Sequence, residues 1–283
     1  MIAIIGDSTG SMTRQMAEHY GVTVMPYYVL YGGKSHKETF DFDTLNYYKN
    51  VMPGDKIPTT SQPSIDDFSR IYEETLKTHD SIIHLTLSSG LSRGYETAKK
   101  AREKFGKEKI YVYDSFTAIG KQALLTVEAA RRRDRGETME EIIEGVKSED
   151  KFMGLFGIFE TLKYLAKGGR IGRAQALIGG LLSIKPILST KDGIVTPLGK
   201  VRTHNQGLNW IIEKIKKDME KSGRKKLIAV VEDAANDEWA DRAEERLRSE
   251  FDIIKLWRTR MSVVIGTHIG PGAWAISYHL LPN

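Results

Sequence analysis

Short apolar runs alternate with amphipathic stretches in the first half of the chain, which predicts strands that are each followed by a helix. This order is typical of a mostly parallel, Rossmann-like sheet with helices on both faces. Ligands of such sheets bind at the carboxyl ends of the strands. The predicted strands are 2–6, 22–28, 82–87 and 110–113, and the predicted helices are 11–20, 43–51, 64–76, 95–105, 119–133 and 139–147.

The second half has a different order of strands and helices, which predicts an α+β unit. Asp192 and Gly193 form a hairpin signal between two apolar runs. Because 283 residues exceed the usual size of one domain, we expect a Rossmann-like α/β domain over 1–150 and an α+β domain over 151–283. The predicted strands of this half are 154–159, 186–189, 194–198, 227–232, 253–257, 263–265 and 274–280, and the predicted helices are 205–219 and 237–250.

The composition is that of a globular protein. Hydrophobic residues make up 40% of the chain and charged residues 28%. No apolar run approaches the ~18 residues that a membrane span needs. The N-terminal segment predicts a first strand and not a signal peptide, so we expect a cytoplasmic protein. The net charge of +5 allows only weak attraction to anionic surfaces, and we expect no nucleic-acid partner.

Several classes of chemistry are excluded or disfavoured by the residue types present. The chain contains no cysteine, which removes disulfides, thiolate metal sites and cysteine nucleophiles. Its seven histidines are scattered without a zinc-site pairing, so we predict no metal. The phosphate-loop and dinucleotide glycine motifs do not occur, so we predict no nucleotide and no other cofactor.

Two loops rich in hydroxyl side chains are the strongest candidates for a ligand site. They are Thr-Ser-Gln-Pro-Ser at 60–64 and Ser-Ser-Gly-Leu-Ser at 88–92, the second directly after a predicted strand. Loop amides and hydroxyls at the start of a helix can bind an anion or an acyl oxygen. Helix capping explains Ser64 and is an alternative role for Ser92. Capping leaves Thr60 and Ser61 unexplained.

The second loop also satisfies the motif of a serine acyl hydrolase. Residues 90–94 read Gly-Leu-Ser-Arg-Gly between a predicted strand and a helix, as the nucleophile turn of such an enzyme requires. Ser92, Asp233 and His268 would then complete the triad in the usual chain order. However, Ser92 lies several residues beyond the strand and Asp233 has no independent support. The hydrolase remains the alternative hypothesis.

Two further segments combine glycine with a side chain capable of chemistry. Residues 168–173 place Arg170 and Arg173 among three glycines, which is typical either of a solvated turn or of a site for phosphate or an acidic partner. Residues 266–272 hold His268 in a loop with glycines and a proline. Such a histidine is either structural or part of a binding site.

Seven segments in this order resemble the DegV family, and together they span almost the whole chain. They are Asp7-Ser8-Thr9, 60–64, 88–92, Asp114-Ser115, 162–171, 185–188 and the His-Ile-Gly-Pro-Gly of 268–272. The resemblance implies two α/β domains with a long-chain fatty acid bound in the cleft between them. It also implies a protein that is not an enzyme alone. Its partner would be an ATP-binding fatty acid kinase subunit, which phosphorylates the presented carboxylate to acyl phosphate for phospholipid synthesis.

The same resemblance implies roles for particular residues. Ser61 and Ser92 would bind the carboxylate, with Thr60 and Ser89 beside them and His268 in support. Arg170, Arg202 and Arg173 would face the phosphate or the kinase, and the membrane surface would be touched only transiently. One departure is Arg93, because family members often carry glycine at this position. Arg93 creates the match to the hydrolase motif, which argues that the match is accidental.

The alkyl chain needs an apolar pocket. Candidates lie in the apolar stretch that follows the strand at 154–159, where a buried helix is also a sufficient explanation. These candidates are Phe159, Leu162, Leu165, Ala176, Ile178, Leu181, Leu182, Ile184 and Ile187.

Overall fold

The computed structural model describes residues 1–54, 56–177 and 184–282. Among these residues the strands are β1 Ile2–Asp7, β2 Val22–Met25, β3 Tyr28–Tyr31, β4 Lys34–Lys37, β5 Thr59–Ser61, β6 Ser81–Thr86, β7 Ile110–Asp114, β8 Met153–Ile158, β9 Lys185–Lys191, β10 Ile194–Val201, β11 Lys226–Asp233, β12 Asp252–Arg260 and β13 Trp274–Leu281. The α-helices are α1 Arg14–Tyr20, α2 Thr44–Asn46, α3 Ile65–Leu76, α4 Gly94–Arg102, α5 Ile119–Asp134, α6 Met139–Asp150, α7 Lys163–Lys167, α8 His204–Ser222, α9 Asp237–Glu250 and α10 Val263–Ile269.

The first sheet is parallel and has the strand order β2-β1-β6-β7. Helices α1 and α5 pack on one face, and α3 and α4 pack on the other. The central strands are continuous apolar runs because both of their faces are buried. The chain leaves β1 towards β2 on one side and leaves β6 towards β7 on the other. The carboxyl ends of β1 and β6 therefore form the crevice at which such sheets bind ligands. The predicted α/β fold is confirmed.

The second sheet has the order β10-β9-β8-β13-β11-β12 and is antiparallel except for the β11–β12 pair. One face packs against α8 and α9. The opposite face packs against α5, which also covers the first sheet. The predicted hairpin at Asp192 and Gly193 connects β9 to β10. The division into domains at 150 and 151 stays a prediction, since α5 contributes to the packing of both sheets.

A third, small antiparallel sheet has the order β4-β3-β5, which the apolar pattern of the sequence does not predict. The predicted strand 22–28 is wrong in extent. The observed strand β2 ends at Met25 and is followed by Pro26. The next strand, β3, belongs to the small sheet. The small sheet contacts α10 through β3 and β5. It thereby brings residues 60–64, of which Thr60 and Ser61 belong to β5 and not to a loop, to the second half of the chain.

The predicted strand at 263–265 is also wrong, because these residues begin α10. The run Val263, Val264 and Ile265 is β-branched and favours a strand locally. Ser262 precedes it as the N-cap and accepts a hydrogen bond from the Ile265 N–H at 3.4 Å. The cap and the tertiary contacts described below outweigh the local preference. Within the described ranges, none of the helices combines the length and apolar character needed to cross a membrane.

Candidate functional site

A cavity of about 880 Å³, mouth included, lies between the crevice of the first sheet and the β8–β9 side of the second. The apolar wall is built from both halves of the chain and includes Leu87, Leu91, Ala118, Ile119, Leu155, Phe159, Leu165, Leu188, Val264 and Ile269. The polar lining includes Thr60, Ser61, Gln62, Ser92, Ser189, Thr190, Arg170 and His268.

Thr60 and His268 both line the cavity and are hydrogen-bonded to each other. The Thr60 Oγ1 lies 2.8 Å from His268 Nε2, and His268 Nδ1 has no hydrogen-bond partner among the described residues. Burial, with the nearby Arg170 guanidinium, lowers the pKa of His268 to about 4. The imidazole is therefore neutral at pH 7. It can orient the threonine hydroxyl without placing a positive charge in the cavity.

His268 reaches this position because α10 is anchored by the buried carboxylate of Glu38. The Val263 N–H donates to Glu38 Oε1 at 2.5 Å, and the hydroxyls of Ser262 and Ser8 donate to Oε2 at 2.9 and 2.6 Å. A carboxylate at a helix N-terminus satisfies free N–H groups there. Burial raises the pKa of Glu38. Nothing in the sequence around Glu38 indicates this role.

The backbone of the 168–173 loop packs directly onto the same histidine. A Cβ on Gly168 would overlap His268 Nδ1, so only glycine fits without a shift. Arg170 in this loop lines the cavity. Its Nε donates to the Leu91 carbonyl at 3.2 Å, and its Nη1 donates to the Gly168 carbonyl at 2.8 Å. The arginine thus lies beside the 88–92 loop.

Buried side chains hold the 88–92 loop in place. The Leu87 N–H donates to Asp7 Oδ2 at 2.7 Å, and Asp7 Oδ1 lies 2.9 Å from His84 Nε2. The Ser88 hydroxyl donates to the Gly193 carbonyl at 2.6 Å. These contacts fix the loop against both sheets. They leave Ser92 at the cavity, where its Oγ accepts the Gly94 N–H at 3.1 Å.

The structure brings some predicted residues together and separates others. Ser61 lines the cavity, and its hydroxyl donates to the Gln62 carbonyl at 3.0 Å. Ser89 is exposed and does not line the cavity, because its N–H is tied to Asp114 Oδ1 at 3.2 Å. The prediction that Ser89 lies next to the carboxylate is therefore not supported by its position.

Two of the three predicted arginines also lie outside the cavity lining. Arg173 forms an ion pair of 2.9 Å with Asp192 in the β9–β10 turn. Arg202 is exposed, directly before the N-cap residue Thr203 of α8. Only Arg170 of the three contributes to the lining of the cavity.

The geometry does not assemble the hydrolase triad. The buried Asp233 carboxylate binds Arg258 at 3.0 Å and also binds Arg260. His268 makes its hydrogen bond with Thr60, and its other ring nitrogen has no partner among the described residues. A triad needs a carboxylate that orients the imidazole towards the serine. Asp233 is engaged elsewhere, so Ser92 has no such activation.

The apolar wall corresponds only in part to the predicted pocket residues. Phe159 and Leu165 line the cavity. Ala176 is exposed, and Ile187 packs in the cluster beneath α8. Leu162 and Ile184 are half-buried and do not line the cavity. The remaining candidates, Ile178, Leu181 and Leu182, lie outside the described residues. Most of the remaining wall comes from β8, β9, the start of α5 and α10.

The family model described as an uncharacterised protein of the DegV family matches residues 1–280. The chain belongs to the DegV family. A DegV domain-containing protein of Caldanaerobacter subterraneus subsp. tengcongensis is 34% identical over 278 residues, or 98% of each chain. The resemblance inferred from the seven segments is therefore confirmed.

Two solved DegV-family structures share the whole architecture of this chain. One, from Thermus thermophilus and described by its fatty acid binding, has a TM-score of 0.92 and 28% identity over 99% of each chain. The other is DegV from Bacillus subtilis, described as a fatty acid binding protein. It has a TM-score of 0.88 and 30% identity over 99% of each chain.

Proposed function

We propose that this DegV-family chain binds a long-chain fatty acid in the cavity described above. The observation that carries the proposal is an apolar cavity that also contains Thr60, Ser61 and Ser92, beside the neutral His268. The descriptions of the Thermus and Bacillus relatives as fatty acid binders support it. A ligand with a long apolar part and one charged end matches this division of the lining.

The alkyl chain supplies the affinity. Burial of ~15 methylenes at about 0.8 kcal/mol each is worth on the order of 12 kcal/mol before the costs of ordering the ligand. Leu155, Phe159, Leu188 and the other apolar residues of the wall would contact it.

The hydroxyl groups determine how the headgroup is bound. A carboxylate cannot be buried without partners, because an unpaired charge would be protonated or expelled. Hydroxyl donors from Thr60, Ser61 and Ser92 satisfy it without a bidentate arginine clamp. The carboxylate oxygens thereby keep lone pairs with which to attack a phosphoryl donor.

We further propose that the bound carboxylate is presented to an ATP-binding kinase subunit, which converts it to acyl phosphate. Arg170 at the cavity, with Arg173 and Arg202 outside it, would face that subunit or the transferred phosphate. Loading and release of the acid would involve brief contact with a membrane surface. The carrier would act in the cytoplasm, and the chain alone would perform no chemistry.

The first test is lipid binding by the wild-type chain and by the Ser61→Ala/Ser92→Ala double variant. Mass spectrometry of lipid extracted from the purified protein should detect a fatty acid. Titration with palmitic acid should show a loss of affinity of 10-fold or more in the double variant, because hydrogen bonds to a charged group are removed. The unfolding temperature should change little, since the removal of hydroxyl groups from exposed or half-buried serines usually costs little stability.

Ser249→Ala is the matched control, because it removes an exposed hydroxyl on α9 that donates only to the Arg246 carbonyl. Its affinity should equal that of the wild type. Full retention of palmitic acid binding by the double variant would refute the assignment of the headgroup site. Stoichiometric labelling of Ser92 by a serine-reactive phosphonate would instead favour the hydrolase.

A further inference from the structure

Strands β8 and β9 pair at two positions and then separate. The two pairs are Gly157 with Leu188 and Ile158 with Ile187. If the ladder continued in this register, 154–156 of β8 would face 189–191 of β9. These six residues lie within the described ranges and form no pair with each other. Both segments are nevertheless strands, because β8 pairs with β13 and β9 pairs with β10. The second sheet is therefore open between them.

Contacts with the first half of the chain explain why β9 leaves β8. The Thr190 Oγ1 lies 2.8 Å from the Thr117 Oγ1, in the segment between β7 and α5. In the turn that follows β9, the Gly193 carbonyl accepts the hydrogen bond from the Ser88 hydroxyl. Both contacts hold the end of β9 towards the first half of the chain. The opening in the sheet is thus fixed by side chains on both of its approaches.

A second cleft of about 1500 Å³, open solvent included, occupies this opening. All six of the unpaired residues line it. The main cavity meets this cleft, because Leu155, Ser189 and Thr190 line both. Gly157 and Leu188, the last pair before the strands separate, also line the main cavity. The side chains of three residues are therefore the boundary between the two spaces.

The second cleft carries an excess of positive charge. Its described lining contains two aspartates, Asp150 and Asp218, and five lysines, Lys121, Lys151, Lys191, Lys214 and Lys221. Lys121 forms an ion pair of 2.8 Å with Asp150, and Lys214 binds Asp218. The two aspartates of the lining are thus engaged, and the other three lysines have no carboxylate of the cleft to balance them. Such a cleft favours an anion.

We propose that the cavity and the second cleft form one tunnel, open at both ends, through which the distal end of a long acyl chain passes between β8 and β9. The inference rests on the proposed function and deepens it, since it concerns the class of ligand. It adds long α,ω-dicarboxylic acids, whose second carboxylate would lie among the lysines of the cleft. A tunnel closed at its far end would reject these acids, because a carboxylate buried without partners is protonated or expelled.

The first test compares monocarboxylic and α,ω-dicarboxylic acids of equal length on the wild-type chain, in steps from dodecanoic to docosanoic acid. Ligand displacement measures each affinity. The short diacids should bind about 10-fold or more weakly than their monoacids, because the second carboxylate lies inside the apolar wall. This penalty should disappear at the lengths that reach the cleft. A penalty that persists up to docosanedioic acid would overturn the proposal.

The second test narrows the boundary with Ser189→Leu. The larger side chain fills the passage between β8 and β9, so docosanoic acid should bind about 10-fold more weakly than to the wild type, while dodecanoic acid keeps its affinity. Thr196→Leu is the matched control, because Thr196 faces Ser189 in the β9–β10 ladder and lines neither space. Equal effects of Ser189→Leu on both acids would contradict a passage at this point.

The third test removes the positive charge. Lys191→Gln/Lys221→Gln should weaken docosanedioic acid by about 3-fold and leave palmitic acid unchanged, since exposed ion pairs are worth little individually. Lys107→Gln, an exposed lysine of the first half, is the control. A loss shared by both ligands, or no loss for the diacid, would refute the role of the cleft. Failure of the wild-type chain to bind palmitic acid would instead contradict the proposed function, so the two failures are distinguishable.

Discussion

At the scale of single residues, Gly168 shows that an absent side chain can be part of a site. Its φ of −76° and ψ of −9° are open to any residue, so the backbone does not require glycine. The neighbouring His268 requires glycine at this position, because a Cβ on residue 168 would overlap the His268 Nδ1. In the sequence the glycines of 168–173 are typical of a turn, and nothing there indicates this contact, since the histidine lies 100 positions later.

Gly168→Ala should therefore weaken fatty acid binding while it leaves the loop conformation intact. The added methyl group displaces His268 and breaks its hydrogen bond with Thr60, for which we expect about a 10-fold loss of affinity. Titration with palmitic acid measures the effect. Gly199→Ala is the control, because its Cβ would make an ordinary contact at 3.6 Å with Ile187 Cδ1. Equal affinities of the two variants would show that His268 does not contribute to the headgroup site.

At the scale of elements, α10 shows where local sequence fails and why. The strands and helices of the first sheet were predictable, since buried parallel strands are continuous apolar runs and their helices are amphipathic. The β-branched start of α10 favoured a strand. Its helical state depends on Glu38, which lies 225 positions before Val263. The small sheet β4-β3-β5 was missed for a related reason, because β4 is polar and its pairing is set by tertiary packing.

Glu38→Gln should destabilise the protein, since it replaces an acceptor of three hydrogen bonds with an amide that accepts at one atom only. We expect a decrease in the free energy of unfolding of about 1–3 kcal/mol, measured by urea denaturation. Fatty acid binding should weaken as well, because α10 carries His268. The exposed Glu220→Gln substitution on α8 is the control. An unchanged midpoint for Glu38→Gln would exclude its role as the anchor of α10.

At the scale of the whole molecule, α5 connects the two large sheets through a buried carboxyl group. Glu232 on β11 is fully buried, and its Oε1 accepts the Gly120 N–H of α5 at 2.7 Å. Burial raises the pKa of Glu232 to about 8, and the hydrogen bond from Gly120 offsets only part of this increase. Asp233, next in the chain, raises it further. The group is therefore protonated in the folded protein at neutral pH.

This raised pKa makes stability depend on pH. The carboxyl ionises near pH 4.5 in the unfolded chain and near pH 8 in the folded protein, so between these values the folded state binds more protons. The free energy of unfolding should therefore fall as pH rises through this range, by at most about 1.4 kcal/mol per pH unit. Glu232→Gln cannot ionise and should remove this slope. Urea denaturation from pH 5 to pH 9 tests the expectation, and parallel curves for wild type and variant would contradict it.

The candidate site was predictable from sequence only where its residues lie in local motifs. Thr60, Ser61, Ser92, Arg170 and His268 stood out because hydroxyls, arginine or histidine occur there among turn residues, and all five line the cavity. The wall was not predictable. Residues such as Ala118, Leu155 and Val264 look like ordinary core positions, and only the packing of both sheets brings them to one cavity.

The shared helix also constrains how such a protein can change over generations. Eleven of the 16 residues of α5 are buried, and they face the first sheet on one side and the second sheet on the other. A substitution that suits one sheet must be tolerated by the other. The two halves therefore cannot be exchanged independently between homologues, and accepted changes on this helix are expected to come in matched sets.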